Sequence, residues 1–422
     1  MVGAALRCPT AAATAVKPLA ETTRRSAGAA FALLVGPAVG VLAPKGTVVV
    51  LAVAALLTVA DAGVRGELAR SLAATWRRPS SGTLLIVAGF LWLAVSAALA
   101  GSPAGGLRIV GQLAGLALLA VLVRPAFMAS GDRLVRAALL GLALGALLLA
   151  EEGVTGNFLR GLVDDPPPDG WQLNQVNLGA TNLVVFACAC AALIAGHRGR
   201  VAAAGVLAAA AATTFAFDSL AASLAGCAAL AVYGAATRWP RAVRAVLRWG
   251  AIAAVVAMPL AVRGLDRLPP SATDALPASA LHRVLIWNFT VDRMAERPVL
   301  GWGLDSARHL GRGRTVDIRG KTVDALPLHP HNGVLQVWVE TGLPGIALLL
   351  CGILWLTRRP GNPEAEPAKL ALAAAAAAIG LTAYGLWQMH WLASLIVAAF
   401  GVAAARGENG RSGSGAGDTS CD

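Results

Sequence analysis

Long apolar runs separated by short polar connections recur along the whole 422-residue chain. Twelve such runs stand out, at 28–43, 46–60, 82–100, 105–123, 134–150, 176–196, 201–217, 219–236, 249–263, 331–356, 368–386 and 389–405. Most are continuously apolar over close to the length that crosses a bilayer as a helix, rather than short and alternating as in a barrel strand. The pattern predicts an all-α polytopic membrane protein with about twelve transmembrane helices. It divides the chain into an N-terminal segment 1–27, helices one to nine over 28–263, a large loop 264–330, helices ten to twelve over 331–405, and a Gly/Ser-rich tail 406–422 expected to be disordered.

The loop 264–330 is too long and too patterned to be a simple connector. After a proline-rich opening, Ser279 is placed to cap a helix beginning near Ala280. Val284, Trp287, Val291 and Met294 then share one face, while Arg283, Asp292, Arg293, Glu296 and Arg297 are polar. This predicts an amphipathic helix along the membrane surface, ended by Pro298. Trp302, in the Gly301–Gly303 turn, reads as an interface anchor, and Pro330 as a first-turn residue of the next helix.

Composition supports the membrane assignment: 57% of residues are hydrophobic, 14% are charged, and mean hydropathy is +0.66. The net charge of +12 does not point to nucleic acid, because the arginines flank apolar runs. Arg65, Arg70, Arg77, Arg78, Arg124, Arg133, Arg136, Arg198, Arg200, Arg238, Arg241, Arg244, Arg248, Arg358 and Arg359 all fall on one set of alternating connections. The positive-inside rule makes that set cytoplasmic, with both termini inside and 264–330 on the outer face. One outer connection, 151–175, is acidic instead. The six cysteines form no disulfide framework, four of them lying within apolar runs.

Polar chemistry gathers in Leu281–Gly345, which holds four of the six histidines. At the outer end of a span, His331 can take a proton from a hydroxyl near neutral pH; it can equally be an interfacial histidine with a structural hydrogen bond. His329, two residues earlier, reads as a supporting group, and a zinc pair would lack a third ligand nearby. An arginine cluster on the amphipathic helix and after it can hold a diphosphate, since the guanidinium fork matches phosphate and stays charged. Contact with lipid headgroups is the alternative. Ser219, or Asp218 beside it, reads as a helix N-cap, and Arg108 as a snorkelling charge.

The segment HRVLIWNFTVDRMAERPVLGWGLDSARHLG, followed by HPHNGVLQVWVETGLPG, resembles the O-antigen ligase family of bacterial inner-membrane proteins, which includes related polymerases. The shared pattern is an Arg and a Trp before the Leu-Gly-Trp-Gly turn, then His331-Asn332, nine residues, and Gly342-Leu343-Pro344-Gly345. The resemblance implies glycan transfer on the periplasmic face, from an undecaprenyl-diphosphate-linked donor to a hydroxyl of lipid A-core or another glycan acceptor. It implies no metal and no other cofactor. His331 matches the family's catalytic histidine and Arg283 its loop arginine; His329, Asn332, Arg263, Arg308 and Arg312 are further candidates for holding diphosphate or glycan. Relatives often carry a second arginine in an outer turn between two middle spans; here that turn reads FAFDSLAASLAG, so either Arg263, Arg308 or another loop arginine substitutes or the donor is held differently.

Overall fold

The computed structural model describes residues 24–405 except 130, 157, 162–170, 218, 266, 268, 270, 273, 274 and 359. The N-terminal segment to 23, the tail from 406, the centre of the acidic connection and Asp218 lie outside the described residues. The chain is helical almost throughout: α1 Ala27–Leu42, α2 Thr47–Val59, α3 Ala62–Arg77, α4 Ser81–Leu99, α5 Pro103–Met128, α6 Asp132–Thr155, α7 Trp171–Thr214, α8 Leu220–Arg238 and α9 Pro240–Leu265. The large loop contributes α10 Ala278–Glu296 and a hairpin of β1 Thr315–Ile318 with β2 Lys321–Asp324; then come α11 Gly333–Thr357, α12 Glu366–Thr382 and α13 Met389–Ala404.

Each of the twelve apolar runs is helical, so the all-α polytopic architecture holds. Among the described residues, seven helices are long and apolar enough on their own to cross a membrane, or eight if α2 and α3 are one bent span. That count falls short of twelve for physical reasons. The α7 helix merges two runs across a break at Gly199, where φ is +81°. The α1 and α13 helices are 16 residues each and α12 is 17, all shorter than a full crossing. The α3 helix was not foreseen. Asp61 caps it by accepting from Val64 N–H at 3.1 Å, and it turns 101° from the preceding helix.

The core is built from small side chains. The first half of α7 is almost wholly buried among α1, α6, α8, α12 and α13, and a Cβ added at Gly141 would sit 2.1 Å from the Leu33 carbonyl oxygen. Without water to squeeze out between helices, close backbone approach supplies the packing energy. Leucines and valines on α4, α5 and α6 face outward, as expected where lipid is the solvent.

The connections sort to two ends. At one end, Arg244 pairs with Glu366 at 2.6 Å, Arg248 bonds Thr357 at 3.0 Å and Arg358 bonds Ser81 at 3.1 Å. At the other end Thr47 bonds the His390 carbonyl of α13 at 2.8 Å, Leu304 of the large loop bonds the Ser96 carbonyl near the α4–α5 turn at 3.2 Å, and His331 bonds the Ala383 carbonyl in the turn before α13 at 2.8 Å.

Candidate active site

Two helices and three loops converge on His331. The α10 helix starts at Ala278 after Pro277, so Ser279 lies inside its first turn and is not the cap, since Pro277 already fixes the entry. Trp287 on α10 donates its indole N–H to the Pro330 carbonyl at 2.9 Å. Arg283 lies one helical turn before Trp287, on the same face. The spacing of the Arg and Trp in the motif is thereby explained: the tryptophan docks the helix against the histidine loop, and the arginine is carried to the same place.

The α11 helix begins at Gly333, not at Pro330. Asn332 caps it, accepting from Leu335 N–H at 3.1 Å, and is 1% exposed. A side chain so engaged is part of the scaffold. His331 stands just outside the helix with φ +53°, left-handed backbone that costs a non-glycine residue about 1 kcal/mol. Its neighbours hold it there. Its backbone N–H donates to His329 Nδ1 at 3.2 Å, and its own Nδ1 lies 2.8 Å from the Ala383 carbonyl.

These bonds settle the tautomers. A carbonyl only accepts, so His331 Nδ1 carries the proton and the neutral ring keeps its lone pair on Nε2. His329 is the reverse. Its Nδ1 accepts, so its Nε2 carries the proton; the Gln388 side-chain nitrogen lies 3.0 Å from that Nε2, and turning the amide over puts its otherwise unpartnered oxygen there as the acceptor. His329 has both ring nitrogens engaged. It tilts against His331 with centroids 4.3 Å apart.

Electrostatics keep the pair neutral. Burial pushes His329 down to about 3, helped by the charges of His331, Arg308 and His390. Burial also lowers His331 from its ordinary value of 6.5; the Ala383 carbonyl works against this, and the positive charges of Arg283 and His282 add to it. His331 is therefore an uncharged acceptor at neutral pH. Burial lowers Arg283 as well. The half-buried Arg283 guanidinium has no hydrogen-bond or ion-pair partner among the described residues.

The other predicted arginines are placed differently. Arg263 pairs with Asp292 at 2.6 Å, tying α9 to α10. Arg308 pairs with Asp305 at 2.7 Å. Arg312 is exposed, with no ion pair among the described residues. The Trp302 indole donates to the Arg293 carbonyl at 2.7 Å and Arg297 stacks on its ring at 4.1 Å. The motif turn is used to lock the loop onto the bundle. Ser219 does cap its helix, at 3.4 Å from Ala222 N.

Sequence reasoning missed the clasp beneath this site. Glu340, 1% exposed inside α11, accepts from the backbone N–H of Asp305 at 3.1 Å and Ala307 at 3.4 Å. It also accepts from Gln336 at 3.2 Å and Trp387 at 2.6 Å. Gln336 in turn accepts from Leu386 N–H at 2.7 Å, pinning the turn whose Ala383 carbonyl orients His331. Just beyond, α11 breaks at Gly342, with φ +60° and ψ −158°. The break frees the Val339 and Glu340 carbonyls to accept from Trp302 N–H at 2.8 Å and Gly303 N–H at 2.9 Å. A Cβ on Gly342 would meet the Val299 carbonyl oxygen at 2.2 Å. The Leu-Gly-Trp-Gly and Gly-x-x-Gly motifs are two halves of one joint. A carboxylate in an apolar helix was the available signal.

Removing this carboxylate strands four buried donors, each worth about 1–3 kcal/mol. Glu340→Ala is expected to destabilise the protein by about 3 kcal/mol or more, and Glu340→Gln by less. Thermal unfolding in detergent reads the difference.

Fold and site together define a polytopic membrane protein whose reactive polar groups sit at one end of the bundle. The O-antigen ligase family model matches residues 183–350, bearing out the resemblance carried by the motifs. A Rickettsia conorii protein provisionally named a polysaccharide ligase is 35% identical over 125 residues, which are 28% of this chain and 30% of that one. A Rickettsia prowazekii protein with the same kind of name is 34% identical over 125 residues, 28% of this chain and 31% of its own. The chain thus spans about three tenths of the length of these relatives.

Proposed function

We propose that the protein transfers a glycan from an undecaprenyl-diphosphate carrier to an acceptor hydroxyl, as a ligase of cell-surface polysaccharide in the bacterial inner membrane. The observation that carries this reading is the pairing of an unpartnered, half-buried Arg283 with a neutral His331 whose Nε2 lone pair is free. The ligase names of the relatives support the class of reaction. The positive-inside rule supports an orientation with the arginine-rich end in the cytoplasm and His331 on the periplasmic side.

The residues divide the work. The acceptor O–H gives its proton to His331 Nε2. The acceptor oxygen forms a bond to the anomeric carbon as the bond from that carbon to the phosphate oxygen breaks, inverting the configuration. The departing diphosphate carries the negative charge, and Arg283 neutralises it with fixed charge that needs no reorganisation. His331 then returns its proton to water. The chain's own groups supply the base and the cation, so no metal ion is called for, and lipid A-core or another glycan serves as acceptor.

Acid should switch the reaction off only below the usual histidine range. The His331 pKa is lowered, so the ring stays an acceptor below pH 6.5 and the rate falls only at lower pH. Arg283→Gln removes a positive charge that helps lower it, so the acid limb should move to higher pH. Rate–pH profiles of the reconstituted protein check both directions.

Deletion of the gene tests the biological role. Long unattached chains on the carrier are the expected product. Accumulation of single repeat units would mean a polymerase of the same superfamily, and an unchanged glycan would end the reading.

A further inference from the structure

A cavity of about 440 Å³ opens between the α4–α5 turn and the segment 302–312. Ser102, Trp302, Asp305, Ser306, His309 and Arg312 are on its wall. Neither the Arg283–His331 arrangement nor the Glu340 clasp accounts for it. Two of its polar atoms, Ser306 Oγ and His309 Nδ1, are buried without a hydrogen-bond partner, and Ser306 as a whole is 7% exposed. Buried polar atoms in folded proteins are nearly always partnered, so two on one cavity point to a ligand.

The walls are held before any ligand arrives. Leu304 N–H donates to the Ser96 carbonyl at 3.2 Å and Asp305 N–H to Glu340 at 3.1 Å. A Cβ on Gly303 would meet Ala100 at 2.4 Å, so the loop lies flush on the α4–α5 turn. The volume falls in the range of small-molecule sites, roughly 300–1,000 Å³.

The lining selects a chemical class. A hydroxyl and an imidazole each donate or accept, a carboxylate accepts, a guanidinium donates, and an indole offers a flat apolar surface. A sugar ring presents the matching set: hydroxyls around its edge and C–H groups on its faces. A lipid phosphate would meet the Asp305 carboxylate and leave the indole unused. Asp305 is bonded to Arg308 at 2.7 Å and its backbone N–H to Glu340 at 3.1 Å, so one wall of the cavity is fixed to the clasp that also pins the turn whose Ala383 carbonyl holds His331.

We propose that this cavity is a sugar-binding subsite that takes one unit of the glycan substrate next to the unit being joined. Ser306 and His309 hydrogen-bond its hydroxyls, Trp302 lies against a ring face, and Arg312 closes the rim. The inference rests on the transferase reading above and adds to it a place that fixes which glycan is accepted.

The test uses the full chain in nanodiscs. The probe is the free glycan released by mild acid from the polyprenyl-linked pool of the source cells. Saturation-transfer NMR should show it bound, with binding weakened about tenfold in the Ser306→Ala/His309→Ala double variant, the loss of roughly one hydrogen bond. Ser102→Trp, on the exposed far wall, should block binding while leaving the thermal midpoint unchanged, and decides the matter if the double variant fails to fold. In transfer assays the weakened variant should show a raised KM with kcat little changed. Unaltered glycan binding in either folded variant overturns the proposal, as does a change confined to binding of phosphatidylglycerol vesicles. These outcomes are separate from the fate of the transferase reading, because binding is measured equally well in a His331→Ala background.

Discussion

Replacing His331 by glycine should abolish glycan transfer while leaving the fold intact. The backbone there is left-handed, with φ +53°, a conformation glycine adopts freely. The substitution therefore removes the imidazole without adding strain, and relieves a little. Loss of a positioned general base typically costs about 10²- to 10⁴-fold. Added imidazole should restore part of the rate, because the departed ring leaves its own space beside the Ala383 carbonyl. His331→Ala should be as inactive but somewhat less stable. Initial rates with and without imidazole, alongside thermal midpoints, check each statement. Normal transfer by the glycine variant would remove the base from the account.

The second large effect is at Arg283. Fixed charge aimed at a leaving group is worth about 10²–10³ in rate when a single donor is removed. Arg283→Ala should lose activity on that scale. Arg283→Lys should fall between, since an ammonium keeps the charge but not the planar fork. The loss should be mainly in kcat, because the charge on the diphosphate grows as the bond breaks. By contrast Arg263 and Arg308 already face Asp292 and Asp305. Their substitution should act first through stability.

The helices could be read from the sequence because membrane spans are written in composition, which needs no knowledge of contacts. Ends were harder. Ser279 and Pro330 both look like helix starts, yet the chain starts its helices at Ala278 and Gly333. In each case a neighbour already supplied the geometry: Pro277 by its fixed φ and Asn332 by its side-chain cap. The break within α7 at Gly199 and the turn into α3 depend on local backbone that hydropathy does not record.

Of the candidate site, Arg283 and His331 could be named, but not the reason they meet. That reason is the Trp287–Pro330 bond, which spans 43 positions. The Glu340 clasp was equally hidden, because its donors come from 305, 307, 336 and 387, and two of them are backbone N–H groups that carry no sequence signature. The hairpin 315–324 was hidden within a run of arginines and glycines.

The most direct measurement is a product balance in proteoliposomes. The full chain is supplied with undecaprenyl-diphosphate-linked glycan and acceptor in the presence of EDTA. The account predicts one undecaprenyl diphosphate released for each glycan joined, an inverted anomeric linkage in the product, and neither product from the His331→Gly protein without imidazole. Retained configuration, or release and joining at the parental rate without the histidine, would contradict it.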